Sequence, residues 1–261
     1  MKKVVSKQAQ LDMLTKPNAI ELMREYVSLN KSFSPGLNRG DDLLIASLPH
    51  EDAKQMKDNC GNVFTETWVK MLDVFPKEVS KELLLSYLEE SYVWDRTLLT
   101  AIDVFSKEDA KDVIVAGKTM SLAVFNKIIN VFSQEETKDI LIELAKREVS
   151  SFDDKAQLKI LRVFSKEDAL AIMKACASNL AGLEWGAQLR IFDVFSKEEV
   201  KELLKSLIDN DQYIHYETLE KIVQVFPKED AKSLVEDFFA GDCGRNEYDQ
   251  EDVISIRKLL K

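Results

Sequence analysis

Cysteine, glycine, proline and histidine are all scarce in this chain. There are eight glycines and five prolines in 261 residues, too little turn chemistry for a fold of many short strands. Cys60, Cys176 and Cys243 are odd in number, far apart and without a CxxC pair. That spacing excludes a disulfide framework and gives no zinc ligand set. No apolar stretch approaches the length of about 20 residues that a membrane span needs. The basic start, Met1-Lys2-Lys3-Val4-Val5-Ser6-Lys7-Gln8, lacks the apolar core of a secretory signal. The expected location is the cytoplasm, or a host cytosol reached without a cleaved leader. Positive charge is also in deficit, with 36 basic against 46 acidic residues and a net charge of −10. Such a surface repels phosphate backbones and anionic lipid, which disfavours nucleic-acid and membrane partners.

What is present is a repeat. Val74-Phe75-Pro76-Lys77-Glu78 returns as Val104-Phe105-Ser106-Lys107-Glu108-Asp109-Ala110-Lys111, and again from Val131, Val163, Val194 and Val225. The steps are 30, 27, 32, 31 and 31 residues. A degenerate copy starts at Leu48, and a weaker one at Leu14. A unit of this size at a near-constant period is the mark of a stacked repeat architecture.

The motif is built to start a helix. Ser106, Ser133, Ser165 and Ser196 stand at N-cap positions, with Asp109, Glu136, Asp168 and Glu199 three residues on, at capping-box spacing. The preceding phenylalanines sit at the staple position, opposite Ala110, Thr137, Ala169 and Val200. Pro49, Pro76 and Pro227 replace the serine in three copies and suit a helix start. The recurring Glu78, Glu108, Glu135, Glu167, Glu198 and Glu229 fall in the first turn, where the helix dipole explains them better than a metal does. Apolar pairs such as Val113/Ile114 and Leu203/Leu204 then mark the buried face of this motif helix.

A second, return helix leads into the next copy. Its expected apolar face is Trp68/Met71/Leu72/Val74, Leu98/Ala101/Ile102/Val104 and Phe125/Ile128/Ile129/Val131. Later copies read Leu158/Ile160/Leu161/Val163, Leu189/Ile191/Phe192/Val194 and Leu219/Ile222/Val223/Val225. One helix pair cannot cover its own apolar faces, so neighbours must stack.

The expected fold is all-α, a right-handed-type superhelical solenoid of about six to seven antiparallel two-helix repeats of roughly 27–32 residues with atypical terminal caps. Residues 1–47 form an N-terminal helical cap or degenerate repeat. Residues 48–239 form the array, with copies near 48, 75, 105, 132, 164, 195 and 226. A polar loop over Ala240–Asp252 and a helix over Val253–Leu260 complete the cap at 240–261.

The motif starts and the helix-pair organisation resemble the α-solenoid class, such as tetratricopeptide and HEAT-like proteins, although the tetratricopeptide Trp/Leu-Gly/Tyr pattern is absent. Members of that class mostly act as scaffolds, adaptors or chaperone-docking modules, and helical repeats also occur among bacterial effectors. The resemblance implies a non-catalytic protein-binding scaffold or regulator, such as a bacterial effector or a regulator of one. A fainter resemblance joins Phe164-Ser165-Lys166-Glu167-Asp168 and Gly186-Ala187-Gln188-Leu189 to TAL-effector-like DNA-binding repeats. It implies modular base recognition, against which stand unequal loops and the acidic Asp95, Asp153, Asp154, Glu184, Asp209 and Asp211.

Chemistry-bearing motifs are thin, which leaves an enzyme with an unrecognised site as the second alternative. The two histidines, His50 and His215, have no nucleophile tied to them by sequence. Gly117-Lys118-Thr119 mimics the end of a P-loop, but Asp112 stands at the first glycine. The stretch from Asp242 has Glu247 and Val253 where a calcium loop needs glycine and glutamate. Arg39-Gly40-Asp41 and the sequon at Asn30 carry no meaning in a cytosolic chain. No catalytic residue, metal ligand or cofactor is predicted, and no small-molecule substrate.

Residues identical across copies serve the fold, so recognition is expected where copies differ. The loops inside the repeats carry aromatics, among them Tyr92, Trp94, Phe152, Trp185, Tyr213 and Tyr216. A second candidate is a basic stripe on the return helix, Lys70, Lys127, Lys159, Arg190 and Lys221, with Asp73, Asp193 and others three residues on. That ladder could grip an extended or acidic peptide, or be a solvated face of weak ion pairs. The partner-binding candidates are Tyr92, Trp94, Trp185, Tyr213, Tyr216, Lys159, Arg190 and Lys221.

Overall fold

The computed structural model describes residues 7–30, 65–89, 93–117, 119–147, 151–179 and 182–260. The helix around Asp41–Ser47, the copy starting at Leu48, His50, Cys60 and Tyr92 lie outside the described residues.

The motif does locally what its chemistry dictates. The hydroxyls of Ser106, Ser133, Ser165 and Ser196 accept the backbone N–H three residues on, and each opens a helix. Where the third residue is glutamate, the carboxylate reaches back to the serine N–H at 2.7 Å and closes a full capping box, at Ser133/Glu136 and Ser196/Glu199. Aspartate is one methylene too short for that reach. Asp109 and Asp168 accept the serine hydroxyl instead, at 2.7 and 3.0 Å.

Among the described residues there are sixteen helices and two strands of two residues, so the chain is all-α. Contacts divide it into two units, Met1–Gly117 and Lys118–Lys261. The first contains α1 (Lys7–Met13), α2 (Ala19–Asn30), α3 (Thr65–Val74), α4 (Lys77–Leu88), α5 (Asp95–Val104) and α6 (Lys107–Ala116). Here α3 packs on α1 and α5, while α4 packs on α2 and α6. The pair α1/α2 thus stands to α3/α4 as one repeat to the next, although residues 31–64 intervene in sequence.

The second unit contains β1 (Thr119–Met120), α7 (Leu122–Val131), α8 (Gln134–Ala145), β2 (Ser151–Phe152), α9 (Asp154–Val163), α10 (Lys166–Ala177), α11 (Trp185–Val194) and α12 (Lys197–Asp209). It continues with α13 (Tyr216–Val225), α14 (Lys228–Ala240), α15 (Asp242–Glu247) and α16 (Gln250–Leu259). The return helices α7, α9, α11 and α13 pack in that order, and α10 packs on α8 and α12, and α12 on α14. At the end α16 packs on α13, and α15 on α14.

Three details depart from the sequence reading. The turn between return and motif helices buries its phenylalanines, Phe75 to Phe226, to 9% exposure or less, worth about 1.5–3 kcal/mol each. The valines before them are not in the core: Val74 is 44% and Val163 42% exposed, and Val104, Val131, Val194 and Val225 are half-buried. The polar stretch after Ala240 is not wholly loop: α15 occupies its first half, and Asp249 accepts Glu251 N–H and Asp252 N–H to start α16 early. Finally, β1 and β2 pair in parallel, Thr119 with Ser151 and Met120 with Phe152, so two successive inner loops share backbone hydrogen bonds.

The motif also joins repeats, a role its capping chemistry had masked. Lys81 reaches Asp109 at 2.5 Å and Asp112 at 2.7 Å on the next motif helix. Lys138 reaches Asp168 at 3.2 Å, and Lys201 reaches Asp230 at 2.6 Å. The donor is the motif's eighth residue and the acceptor its sixth in the following copy. One copy has Leu170 at the eighth place, and there Lys166 supplies the charge, reaching Glu199 at 2.8 Å. These contacts and the caps hold the Asp109 and Asp168 carboxyls below their ordinary range and pull Glu199 down to about 2.

Candidate functional site

The loops inside the repeats lead into the N-termini of the return helices, and there the copies differ most. Ser121 and Asp153 cap their own helices, accepting Val124 N–H and Ala156 N–H. At the same position α5, α11 and α13 carry Trp94, Glu184 and His215, none of which caps. For α11 the capping is supplied by the preceding repeat. Asp154 accepts Ala187 N–H at 3.2 Å, and its carboxylate lies so close to the chain that a Cβ on Gly186 would stand 2.6 Å from Oδ1. A side chain there would push the Asp154 carboxylate off this position. Asp153 likewise reaches back to accept Leu122 N–H at 2.9 Å, and Asp211 reaches forward to Cys243 N–H at 2.9 Å.

Two buried glutamines complete this lacing. Gln157 and Gln188 are wholly buried, at a position held by Trp68, Leu98, Phe125 and Leu219 in other copies. Periodicity assigned the adjacent Leu158 and Leu189 to the core, and both are half-buried instead. The reason is hydrogen bonding: a buried amide is stable only when its donors and acceptor are used. Gln188 donates to Leu183 O at 2.7 Å and Tyr213 O at 2.8 Å, and accepts His215 N–H at 3.1 Å. Gln157 accepts Glu184 N–H at 3.0 Å and donates at 3.4 Å to Phe152 O and Gly182 O. Each glutamine therefore ties the loop of its own repeat to the next one.

Against this laced edge the aromatic candidates separate. Phe152 is 1% exposed and belongs to the core. Trp94, in the first unit, is 74% exposed. In the second unit Trp185 is 48% and Tyr213 37% exposed, and Tyr216 is half-buried. Tyr213 is held in place, stacked on Tyr248 with centroids 5.7 Å apart and meeting the His215 ring edge-on at 4.7 Å. Tyr248 is itself anchored by its hydroxyl donating to Ile214 O and by Phe238 and Phe239 at 5.8 Å. Trp185 makes no such ring contact with these residues.

The electrostatics of this edge are acidic. Partial desolvation, then Asp154 and Asp153, raise the Glu184 carboxyl. Burial lowers the His215 imidazole, opposed by Glu217 and Asp154, so the ring is pulled toward the neutral form.

Lys70, Lys159 and Arg190 of the basic stripe are engaged within the fold. Lys159 donates to Asn126 on the neighbouring return helix. Arg190 pairs with Asp193 at 2.9 Å, as Lys70 does with Asp73 at 2.8 Å, and Lys221 is half-buried. Gly186 and Gln188, which carried the fainter resemblance to base-reading repeats, are occupied by Asp154 and by the loop backbone. Among the described residues no group of three or more His, Cys, Asp or Glu is arranged to hold a metal ion, and no helix is long and apolar enough to cross a membrane.

The class that these observations define is an all-α protein of helix pairs packed like on like. No protein-family model, curated protein or solved structure matches the chain.

Proposed function

We propose that the protein is a non-catalytic, tetratricopeptide- or HEAT-like helical-repeat scaffold or regulator that binds a protein partner through the inner loops of its units. The finer architecture proposed with it is a superhelical solenoid, each unit being a run of two-helix repeats. Row-on-row packing of return and motif helices within each unit supports that reading. Free Cys176 and Cys243 fit a reducing compartment and support a cytosolic location.

The observation that carries the function is the exposure of Trp94 and Trp185 at the starts of return helices. A tryptophan there neither caps the helix nor fills the core. Large apolar surface kept in water without a role in the fold is typical of an interface anchor. The test places a photo-crosslinking amino acid at 94 or 185, and at 167 as a control on the motif row. Partner adducts at 94 or 185 but not 167, lost from W94A and W185A chains that keep their helical spectrum, support the proposal. Equal adducts at all three positions overturn it.

A further inference from the structure

We infer that the second unit's loop edge receives a cationic segment of a partner protein, a stretch carrying lysine or arginine whose charged head lies against Trp185. This names the partner class for the surface proposed above and rests on that reading.

The first ground is charge. The described loop residues 146–147, 151–155, 178–179, 182–186 and 209–217 carry Asp153, Asp154, Glu184, Asp209, Asp211 and Glu217 against Lys146, Arg147 and Lys155. Asp153, Asp154 and Asp211 are used in accepting backbone N–H groups. Glu184 and Glu217 have no such task, and among the described residues neither makes an ion pair with a lysine or arginine. On the motif row Asp168, Glu199 and Asp230 each have a lysine within 3.2 Å, whereas Glu167 and Glu198 have none among the described residues. Glu184, the residue before Trp185, is likewise left without a lysine or arginine partner among them. Partial desolvation and, after it, the charges of Asp154 and Asp153 raise the Glu184 carboxyl.

The second ground is the ring. An indole face is the best aromatic acceptor for a cation, and the attraction grows when carboxylates share the site. Trp185 sits directly after Glu184, at the end of the helix that Asp154 caps from the neighbouring repeat. The surroundings are pre-organised by Gln188, which fixes the Tyr213 and His215 backbone. Little ordering cost therefore falls on binding. A phosphate-bearing or acidic partner meets repulsion on the same edge.

The experiment uses the full chain with 15N-labelled tryptophan, whose three indole signals are assigned with W94F and W185F. The probes are a peptide alternating lysine and arginine with glycine, a glutamate–glycine counterpart, and a single-stranded oligonucleotide. The cationic peptide is expected to shift the Trp185 indole saturably and leave buried Trp68 unmoved. By calorimetry, W185A weakens binding about tenfold, and E184Q/E217Q about fivefold. The control pair E167Q/E198Q changes the net charge equally and leaves the affinity within about twofold. Equal weakening by both pairs means diffuse attraction and overturns the inference. A Trp185 shift by the acidic peptide or the oligonucleotide, or no saturable shift, also overturns it. Crosslinks from position 185 to a partner segment lacking lysine and arginine overturn it while leaving the loop-edge reading intact, whereas absence of adducts at both 94 and 185 removes that reading too.

Discussion

Replacing Gln188 with leucine puts into α11 the residue that other copies use at the same place, Leu98 and Leu219, so a purely apolar view of the core expects a gain. The hydrogen bonds lead to the opposite expectation. The substitution strands two carbonyls, Leu183 O and Tyr213 O, and one donor, His215 N–H. Each orphaned group costs about 1 kcal/mol at the low end, the relevant end because Tyr213 and His215 are partly solvated. The sum is about 3 kcal/mol, from which the better transfer of leucine returns about 1 kcal/mol. Q188L should therefore lose about 2 kcal/mol in urea unfolding followed by circular dichroism. Its effect should be largest on the loop before α13, read as faster amide exchange at His215. A variant as stable as the parent, or with unchanged exchange there, refutes the argument that buried glutamines lace the loops.

Other consequences are simpler to state. Ser196→Ala removes the hydroxyl that accepts Glu199 N–H and should cost about 1 kcal/mol in the same unfolding assay. The Glu199 carboxyl is held at about 2, well below its ordinary value, so its contribution is fully present above pH ~4.5 and lost as pH falls toward pH ~2. Asp109 and Asp168 are shifted the same way, and the acid loss measured by unfolding should shrink in Glu199→Gln. Burial pushes the Cys176 thiol up to about 12, so a chain with Cys60 and Cys243 replaced by serine should resist maleimide at neutral pH until unfolded.

The parts of this molecule legible in one sequence are those whose causes are local. A serine, the acid three residues later and a preceding phenylalanine act within one turn, and the structure uses Ser106, Ser133, Ser165 and Ser196 as that spacing dictates. The glutamines escaped because two of the three partners of each belong to the next repeat, 25 or 27 residues on, and periodicity favoured their leucine neighbours. Asp154 escaped for the same reason: its partner, Ala187 N–H, belongs to the next repeat, and only Gly186 hinted at a close approach. The lysine ladder left a trace in the sequence. The motif's eighth residue is lysine in every copy but that with Leu170, which marks a role beyond starting a helix. Loop composition grouped Phe152, Trp185 and Tyr213 as loop aromatics, with Trp185 and Tyr213 among the partner-binding candidates. They divide into core, open face and stacked ring only because the lacing fixes where each loop runs.

The most direct test of a protein-binding loop edge is photo-crosslinking from position 185 in the full chain, with position 167 as control. The account predicts adducts to one partner from 185 and none from 167. Adducts from both positions alike, or a partner recovered with none from 185 or 94, would contradict it.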